Sequence, residues 1–330
     1  MKKFLYLFYY LKNTDFNKLS RFNKYAAFVT GKSSIELHFD SLISVFKYNT
    51  ALLDYYHFRF YELTDKERKN WAGTGFMYEY QLKSNPLGSR NILENKILFL
   101  RHYQSFNKRL YFTIDQLISE KPDLSSFFSH PSGKAVVKGS KGQVGAEVKV
   151  LSIREFNYDS LVQYMKKNQY DLLEEFVIQH PDLMTLSPSG LNTVRVFTEL
   201  TDNKVVFLGA RLRITINSPV DNMAAGNPAA PVDMATGKLS GPAVFSDISK
   251  EDILIHPVTG INIPGFQIPF WDEVKEMVTK AALDAGGNRS IGWDVAISDA
   301  GPELIEGNHN WCKLLWQLPV KKGLKNTLTQ

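Results

Sequence analysis

Apolar residues recur at three- and four-residue spacing through SLISVFKYNTALLDYYHFRFYEL, residues 41–63. That period predicts helices, and residues 1–90 read as a mainly helical region. Thr64, followed by Asp65 and Glu67, has the form of a helix start. Gly88, Ser89 and Arg90 mark a boundary. A second helical pattern, ILENKILFLRHYQSF, opens the next region and is followed by a short strand and the helix TIDQLISEK.

From Lys134 the period shortens. AVVKG, AEVKVLSI, EEFVIQ, TVRVFTEL, KVVFLGARLRITI, IGWDVAI and ELIEGN read as strands, and one clear helix interrupts them from about Phe270 to Ala285. Strands outnumber helices here and are not regularly interleaved with them. The pattern therefore predicts an α+β fold with antiparallel sheets rather than a doubly wound one. The expected organisation is a helical region 1–90, a first lobe 91–185 and a second lobe 186–330.

Ile291–Asn308, IGWDVAISDAGPELIEGN, carries the clearest chemistry. Two apolar runs flank a Ser-Asp-Ala-Gly turn, so the segment reads as a β-hairpin. Glu306 and Asn308 share a face because side chains alternate along a strand. Asp294 joins them if the loop holds an odd number of residues, which sets it directly opposite Glu306. Two carboxylates and an amide on one face suit a hard cation such as Mg²⁺. They also suit an ordinary polar face, and the hairpin alone does not decide.

Four further segments hold candidate chemistry. AVVKGSKGQVGAEVKV sets Gly139, Gly142 and Gly145 between two strands, where backbone N–H groups can approach a phosphate and Lys138 can reach it. It is neither a Walker loop nor a dinucleotide fingerprint, since a strand rather than a helix follows. LLEEFVIQHPDL, residues 172–183, places an acidic pair before an apolar strand whose Phe176 and Val177 suit an adenine ring. Arg195 lies on one cationic strand, and Arg211 and Arg213 share a face of another; guanidinium forks suit phosphate or carboxylate. DNMAAGNPAAPVD, residues 221–233, is too rich in small residues to fill a core and reads as a functional loop, with Asn222 and Asn227 able to touch phosphate or metal.

Composition narrows the classes. Hydrophobic residues make up 44% of the 330, ordinary for a globular chain. One cysteine, Cys312, excludes internal disulfides and a cysteine metal cage, fits a reducing, cytoplasmic compartment, and reads as a small buried hydrophobe. The net charge of +5 and pI of about 9.0 come without basic blocks or nucleic-acid motifs, so nucleic acid is not an expected partner. In residues 1–25, the apolar core FLYLFYYL is too short to span a bilayer. Its aromatic residues mixed with lysines fit either a helix packed on the protein or one lying on the inner membrane face.

The order of these motifs resembles the ATP-grasp superfamily. Lys96 comes in a helical region; then follow Lys138 with its glycine-rich lid, Glu174 to Val177, the arginine strands, Asn222 with Gly226, and last the Asp…Glu-x-Asn hairpin. EEFVIQHPDL, LNTVRVFTEL, IPFWDEV and IGWDVAISDAGPELIEGN are most similar to the sugar-transfer-associated ATP-grasp proteins, over roughly residues 50–318. The resemblance implies a nucleotide held between two antiparallel sheets. Lys96 and Lys138 would contact it, Glu174, Glu175, Phe176 and Val177 would line the adenine, and Ser140, Gly142 and Gly145 would close over the phosphates. Asp294, Glu306 and Asn308 would hold one or two Mg²⁺, with Mn²⁺ as a substitute. Arg195, Arg211 and Asn222 would stabilise the transferred phosphoryl group.

The sequence departs from the pattern twice. Gln179, His180, Pro181 and Asp182 stand where an acidic ribose contact is common, leaving Asp182 as the nearest acid. Gly292 stands where some members carry an arginine, so Arg211 or Arg213 is expected to supply that charge. The implied activity is an ADP-forming carboxylate–amine ligase acting through an acylphosphate, joining an amine or amino acid to a carboxylate of a small molecule or surface glycan. A kinase using the same nucleotide site, or a non-catalytic nucleotide-binding module, would share these residues.

Overall fold

The structure, a computed structural model, describes residues 2–141 and 148–328, with side chains from Leu5 onward. The lid glycines Gly142 and Gly145 lie outside the described residues.

The N-terminal region is helical, as its period predicts. Helices α1 (Lys2–Asn13), α2 (Phe16–Thr30), α3 (Ser34–Tyr48), α4 (Leu52–His57), α5 (Asp65–Arg68) and α6 (Thr74–Ser84) follow in order. Their ends are written in the sequence. Asp15 accepts the Lys18 N–H to start α2, and Gly31 ends it at φ 72°. Ser33 starts α3 in the same way. Thr64 and Glu67 form a capping box, though the helix they start runs only one turn. Leu19, Phe22, Leu37, Val45, Tyr55 and Phe60 fill the core of this region, closed from the other side by Val244, Ile248 and Leu318.

Two antiparallel sheets follow. Helices α7 (Asn91–Glu94) and α8 (Lys96–His102) lead into β1 (Tyr111–Thr113), α9 (Ile114–Ser119), α10 (Ser125–Phe128), β2 (Lys134–Lys138), β3 (Val148–Ser152), α11 (Tyr158–Lys167) and β4 (Leu172–Glu175). These strands form a sheet in the order β1-β4-β2-β3. Helix α12 (Pro181–Leu186) then precedes β5 (Val194–Thr201), β6 (Lys204–Arg213), β7 (Ala229–Val232), α13 (Trp271–Leu283), β8 (Ser290–Ser298), β9 (Gly301–Asn308) and α14 (Lys313–Gln317). The second sheet runs β7-β6-β5-β8-β9. One of its faces, with Val194, Val196, Ile291, Trp293 and Val295, buries α13 through Val274, Val278 and Ala281.

Three expectations need correction. The helix read over 270–285 is α13, but it is not alone after Lys134: α11, started by an Asn157–Ser160 capping box, packs Leu161 and Met165 into the first sheet's core. Its many polar residues hid its period. The strand read through EEFVIQ stops at Glu175. Beyond it the chain crosses from one sheet to the other, where the His180 N–H donates to the Ile297 carbonyl at 2.8 Å. Residues 221–233 are only partly a loop. Ala229–Val232 form the edge strand β7, and Ala229, Ala230 and Val232 are buried. Small side chains here suit close packing, and Pro231 is tolerated because the strand lies at the edge.

Arg109 joins the two sheets. It donates from Nε to Glu174 on β4 at 2.9 Å, and from Nη1 to Glu303 on β9 at 2.7 Å and to the Leu304 carbonyl at 3.0 Å. All three charged side chains are buried. Burial alone would raise the Glu174 carboxyl, but Arg109 and then Lys138 outweigh it and hold it at about 2.

Arg109→Ala leaves two buried carboxylates short of a partner and is expected to cost about 3–5 kcal/mol of stability in urea unfolding. Because the Glu174 carboxyl is depressed in the folded chain, its contribution is fully present above its ordinary value of 4.5 and is lost as the pH falls toward about 2. Unfolding midpoints between those limits should converge for wild type and Glu174→Gln; curves that stay parallel would show that the pairing adds nothing.

Candidate active site

A cavity of about 360 Å³ lies where the second sheet, the N-terminal helices and α8 meet. Behind it runs a row of charge across four strands, of which Arg195 and Glu306 line the cavity and Asp294 and Arg211 do not. The register pairs Arg211 with Arg195, Arg195 with Asp294, and Asp294 with Glu306, so the four residues stand abreast. Directly paired residues on antiparallel strands point to the same face.

The hairpin carries its Asp and Glu abreast by an unexpected route. The turn holds two residues, Asp299 and Ala300, between paired Ser298 and Gly301. An even loop with an uninterrupted ladder would set Asp294 against Ile305 and turn Glu306 to the opposite face. Instead the register shifts after Asp294: Val295 pairs with Leu304 while Asp294 pairs with Glu306. Ile305 is the extra residue of a β-bulge, and the bulge restores the shared face. The odd-loop expectation is therefore corrected in its means, while the three oxygen-bearing side chains still meet. Asn308 Nδ2 lies 3.2 Å from Glu306 Oε1. Gly307 between them has no room for a side chain, because an added Cβ would come within 2.9 Å of Leu93 and 3.1 Å of Phe99.

Asp294 is the electrostatic centre. Arg195 donates to both of its carboxylate oxygens, and Arg213 Nη2 reaches Oδ2 at 2.8 Å. Burial would raise this carboxyl, but Arg195 and then Arg213 hold it well below the usual carboxylate range. Glu306 moves the other way: burial first, then the neighbouring Asp294, push its carboxyl up. Among the described residues Glu306 has no ion-pair partner of its own, and Arg195 and Arg213 offset its burial only in part. Asp221 holds Arg213 from behind at 3.2 Å and accepts the Thr193 N–H and hydroxyl.

The remaining expected residues divide. Lys96, Arg195, Arg213, Asn222, Glu306 and Asn308 line the cavity, and Asn222 also caps the short turn Met223–Ala225. Arg211 does not reach it. Its guanidinium turns to the Trp316 carbonyl at the end of α14, and burial lowers it to about 9. The cationic groups that face Asp294 near Gly292 are Arg195 and Arg213. A Cβ on Gly292 would meet Trp311 Cβ at 2.7 Å and Arg195 Cδ at 3.1 Å, so Arg195 occupies the space a side chain there would need.

The nucleotide candidates on the first sheet stand apart from this cavity. Lys138 Nζ lies 2.8 Å from Glu174, and the Ser140 hydroxyl donates to Asp171. The Glu175 carboxylate accepts the Leu110 N–H, and Phe176 sits under the Lys134 ammonium. Val177 is half-buried in the crossing segment, and Asp182 is exposed at the start of α12. Asn227 is buried and holds its own loop through Ile216 and Val220, which corrects its reading as a ligand contact. Cys312 is exposed on the cavity wall rather than buried.

Several wall residues carried no local signal. Lys18 reaches the cavity from α2, its ammonium lowered chiefly by burial. His309 Nε2 lies 2.9 Å from Glu94 on the opposite wall. A lone lysine in a helix more than 250 residues from the hairpin cannot be tied to it by spacing.

Among the described residues no three His, Cys, Asp or Glu side chains gather as a cation cage. The donor set here is two carboxylates and one amide oxygen, which suits a hard cation that keeps part of its water or takes phosphate oxygens. The raised Glu306 carboxyl is what a bound divalent ion would reverse.

The family described as sugar-transfer associated ATP-grasp matches residues 76–330. The chain belongs to that family. Its fold is the ATP-grasp fold, α+β, with a helical N-terminal region. Solved structures similar to it include an L-amino acid ligase from Bacillus licheniformis, at 15% identity and TM-score 0.42, covering 72% of this chain and 49% of that one. The D-alanyl-alanine synthetase A from Vibrio cholerae O1 biovar eltor is similar at 11% identity and TM-score 0.38, covering 72% and 66%. The N5-carboxyaminoimidazole ribonucleotide synthetase from Thermotoga maritima follows at 12% and 0.39, covering 67% and 43%. This chain spans about half the length of the first. No curated protein matches the sequence. Family membership rests on the family match alone.

Glu306→Ala removes the oxygen that the bulge sets opposite Asp294 and leaves the ladder itself intact. Mn²⁺ binding followed by electron paramagnetic resonance should then weaken at least about tenfold, the scale of losing a ligand's support, with circular dichroism unchanged. Undiminished binding would show that Glu306 does not hold the cation.

Proposed function

We propose that this ATP-grasp chain is an ATP-dependent, ADP-forming ligase that joins a carboxylate to an amine through an acylphosphate. The observation that carries the reading is one cavity lined by the Glu306 and Asn308 oxygens together with Arg195, Arg213, Lys96 and Asn222, with Asp294 buried beside Glu306 in the sheet behind it. An oxygen face needing a cation beside a fixed cationic wall suits a polyphosphate and a group being transferred from it. Mg²⁺, when bound, screens phosphate oxygens and offsets the charge that develops on transfer.

The protein's own groups have distinct tasks. Asp294, Glu306 and Asn308 would hold the cation. Asp294 and Asp221 hold Arg213 rigidly, so its remaining donors are preorganised toward the transferred phosphoryl group. Asn222 and Lys96 would take further phosphate oxygens. The carboxylate acceptor would attack the terminal phosphorus, releasing ADP, and the amine would then displace phosphate from the acyl carbon. No protein nucleophile takes part. On the first sheet, Glu174 Oε1 is buried with no partner among the described residues, and an adenine amino group is the kind of donor it lacks. For Lys138, paired with Glu174, we propose an indirect part in nucleotide binding: it holds the strand end from which the lid leaves.

We place the acceptor on a glycan: the family's association with sugar transfer and a cationic wall that includes Lys18 both suit a uronic acid.

Incubating the protein with ATP, Mg²⁺, a uronic acid panel and hydroxylamine should yield a hydroxamate, since an acylphosphate is trapped by that nucleophile. ADP formation with a phosphorylated product stable to hydroxylamine would instead mark a kinase. Glu306→Gln keeps the shape and removes the charge. It should lower Mg²⁺-dependent turnover by at least about a hundredfold, the scale of losing one charge-stabilising group, and equal activity would remove the cation assignment. Lys138→Ala should weaken ATP binding about tenfold, or about 1.4 kcal/mol, by calorimetry; unchanged affinity would confine Lys138 to its pairing with Glu174.

A further inference from the structure

The first three helices carry an outward apolar surface that neither the fold nor the proposed chemistry uses. On α1, Tyr6 and Tyr10 turn inward, with Tyr6 donating to Glu79 at 2.7 Å and Tyr10 buried. The opposite face carries Leu5, Phe8, Tyr9 and Lys12, which share one stripe by helical spacing. Phe8 is 72% exposed and Tyr9 61%. Helix α3 touches α1 and does the same: Leu37 and Val45 are buried, while Ile35, Phe39 and Ile43 are 70%, 63% and 56% exposed. Phe28, 86% exposed at the end of α2, stands just before the Gly31 turn, and Ile35 just after it.

Single exposed apolar residues are normal on any surface. These are concentrated. Among the described residues, eleven of the twenty-seven large hydrophobic side chains exposed to solvent lie before residue 49, about a seventh of the chain. The charge is concentrated in the same place. Residues 1–48 hold eight Lys and Arg against three Asp and Glu, a surplus of five. The whole chain has a surplus of five, so residues 49–330 are neutral in sum.

We infer that α1 to α3 form a docking surface for an anionic lipid bilayer, on which the protein lies without crossing. Aromatic and aliphatic side chains that project from short helices enter the headgroup boundary, and surrounding lysines meet the anionic surface. Among the described residues no helix is long and apolar enough to span a membrane. A second copy of this chain fits less well, because two surfaces each bearing exposed lysines such as Lys12 and Lys24 would face one another. Helix α2 belongs both to this bundle and, through Lys18, to the cavity wall. An acceptor presented at the lipid surface would therefore meet the unit that contributes to its site. The docking inference itself does not depend on the ligase reading.

The test uses the full chain and large vesicles, one set of phosphatidylcholine alone and one of phosphatidylcholine mixed with phosphatidylglycerol, followed by co-sedimentation. Partition onto the anionic vesicles should exceed that onto the neutral ones by about tenfold or more and should fall with added salt. Phe8→Ser combined with Phe39→Ser should abolish it. Lys12→Glu combined with Lys24→Glu should remove the preference for anionic lipid. All four side chains are exposed, so both variants should keep the wild-type thermal midpoint and ATP affinity without vesicles. Equal partition onto both vesicle types, or binding that survives the Phe8/Phe39 change, overturns the proposal. So does a stable dimer in sedimentation equilibrium that the same change dissociates, since a second copy would then own the surface.

Discussion

A carboxylate buried in the middle of a sheet is tolerable only if its charge is answered, and Asp294 is answered twice. Arg195 grips both of its oxygens from the neighbouring strand, and Arg213 reaches one from the strand beyond. Each of these side chains would be costly alone in that position. Together they lock three strands of the second sheet to one electrostatic centre and leave Glu306, the fourth in the row, with no ion-pair partner of its own among the described residues and its carboxyl pushed up. The site is thus prepared by what it lacks. The protein neutralises Asp294 itself and leaves the deficit at Glu306 and Asn308, on the cavity side.

The same logic joins the two sheets. Arg109 carries no part of the motif order, yet it binds a carboxylate on each sheet and a backbone carbonyl besides. The chain crosses from one sheet to the other immediately after Glu174 and Glu175, and its backbone is caught by β8 at His180. The two sheets are held in relation by that clasp. The start of α8 adds a second tie, since the Lys96 N–H donates to the Ser140 carbonyl at 2.9 Å. A residue expected to meet nucleotide is thereby anchored beside the end of β2.

Much of this was legible in the chain, for physical reasons that differ from one part to another. Caps are local, so Thr64 with Glu67 could be read within four residues. The hairpin announced itself through its Ser-Asp-Ala-Gly turn and alternating strands. What failed were inferences about where a side chain goes once the backbone is known. Arg211 and Arg213 share a face, yet Arg211 is drawn to a carbonyl of α14 and Arg213 to Asp294. Ala229 and Ala230 looked too small for a core and are buried because their strand lies close against its neighbours. Cys312 looked like a buried hydrophobe and lies open on the cavity wall.

Periodicity, caps and turn residues are properties of a few neighbours, so the sequence by itself determined the helical first region, the antiparallel strands and the identity of the oxygen-bearing hairpin. The order of its motifs carried the family. The partners of those residues were decided only by tertiary structure, because they depend on register and on segments far apart in the chain. A two-residue turn would have parted Asp294 from Glu306, and a single bulged residue, Ile305, brings them together. Lys18 and Glu94 became wall residues only when α2 and α7 closed over β9. Which face of a strand meets which helix is settled by packing the whole chain, and that is where the candidate site was made.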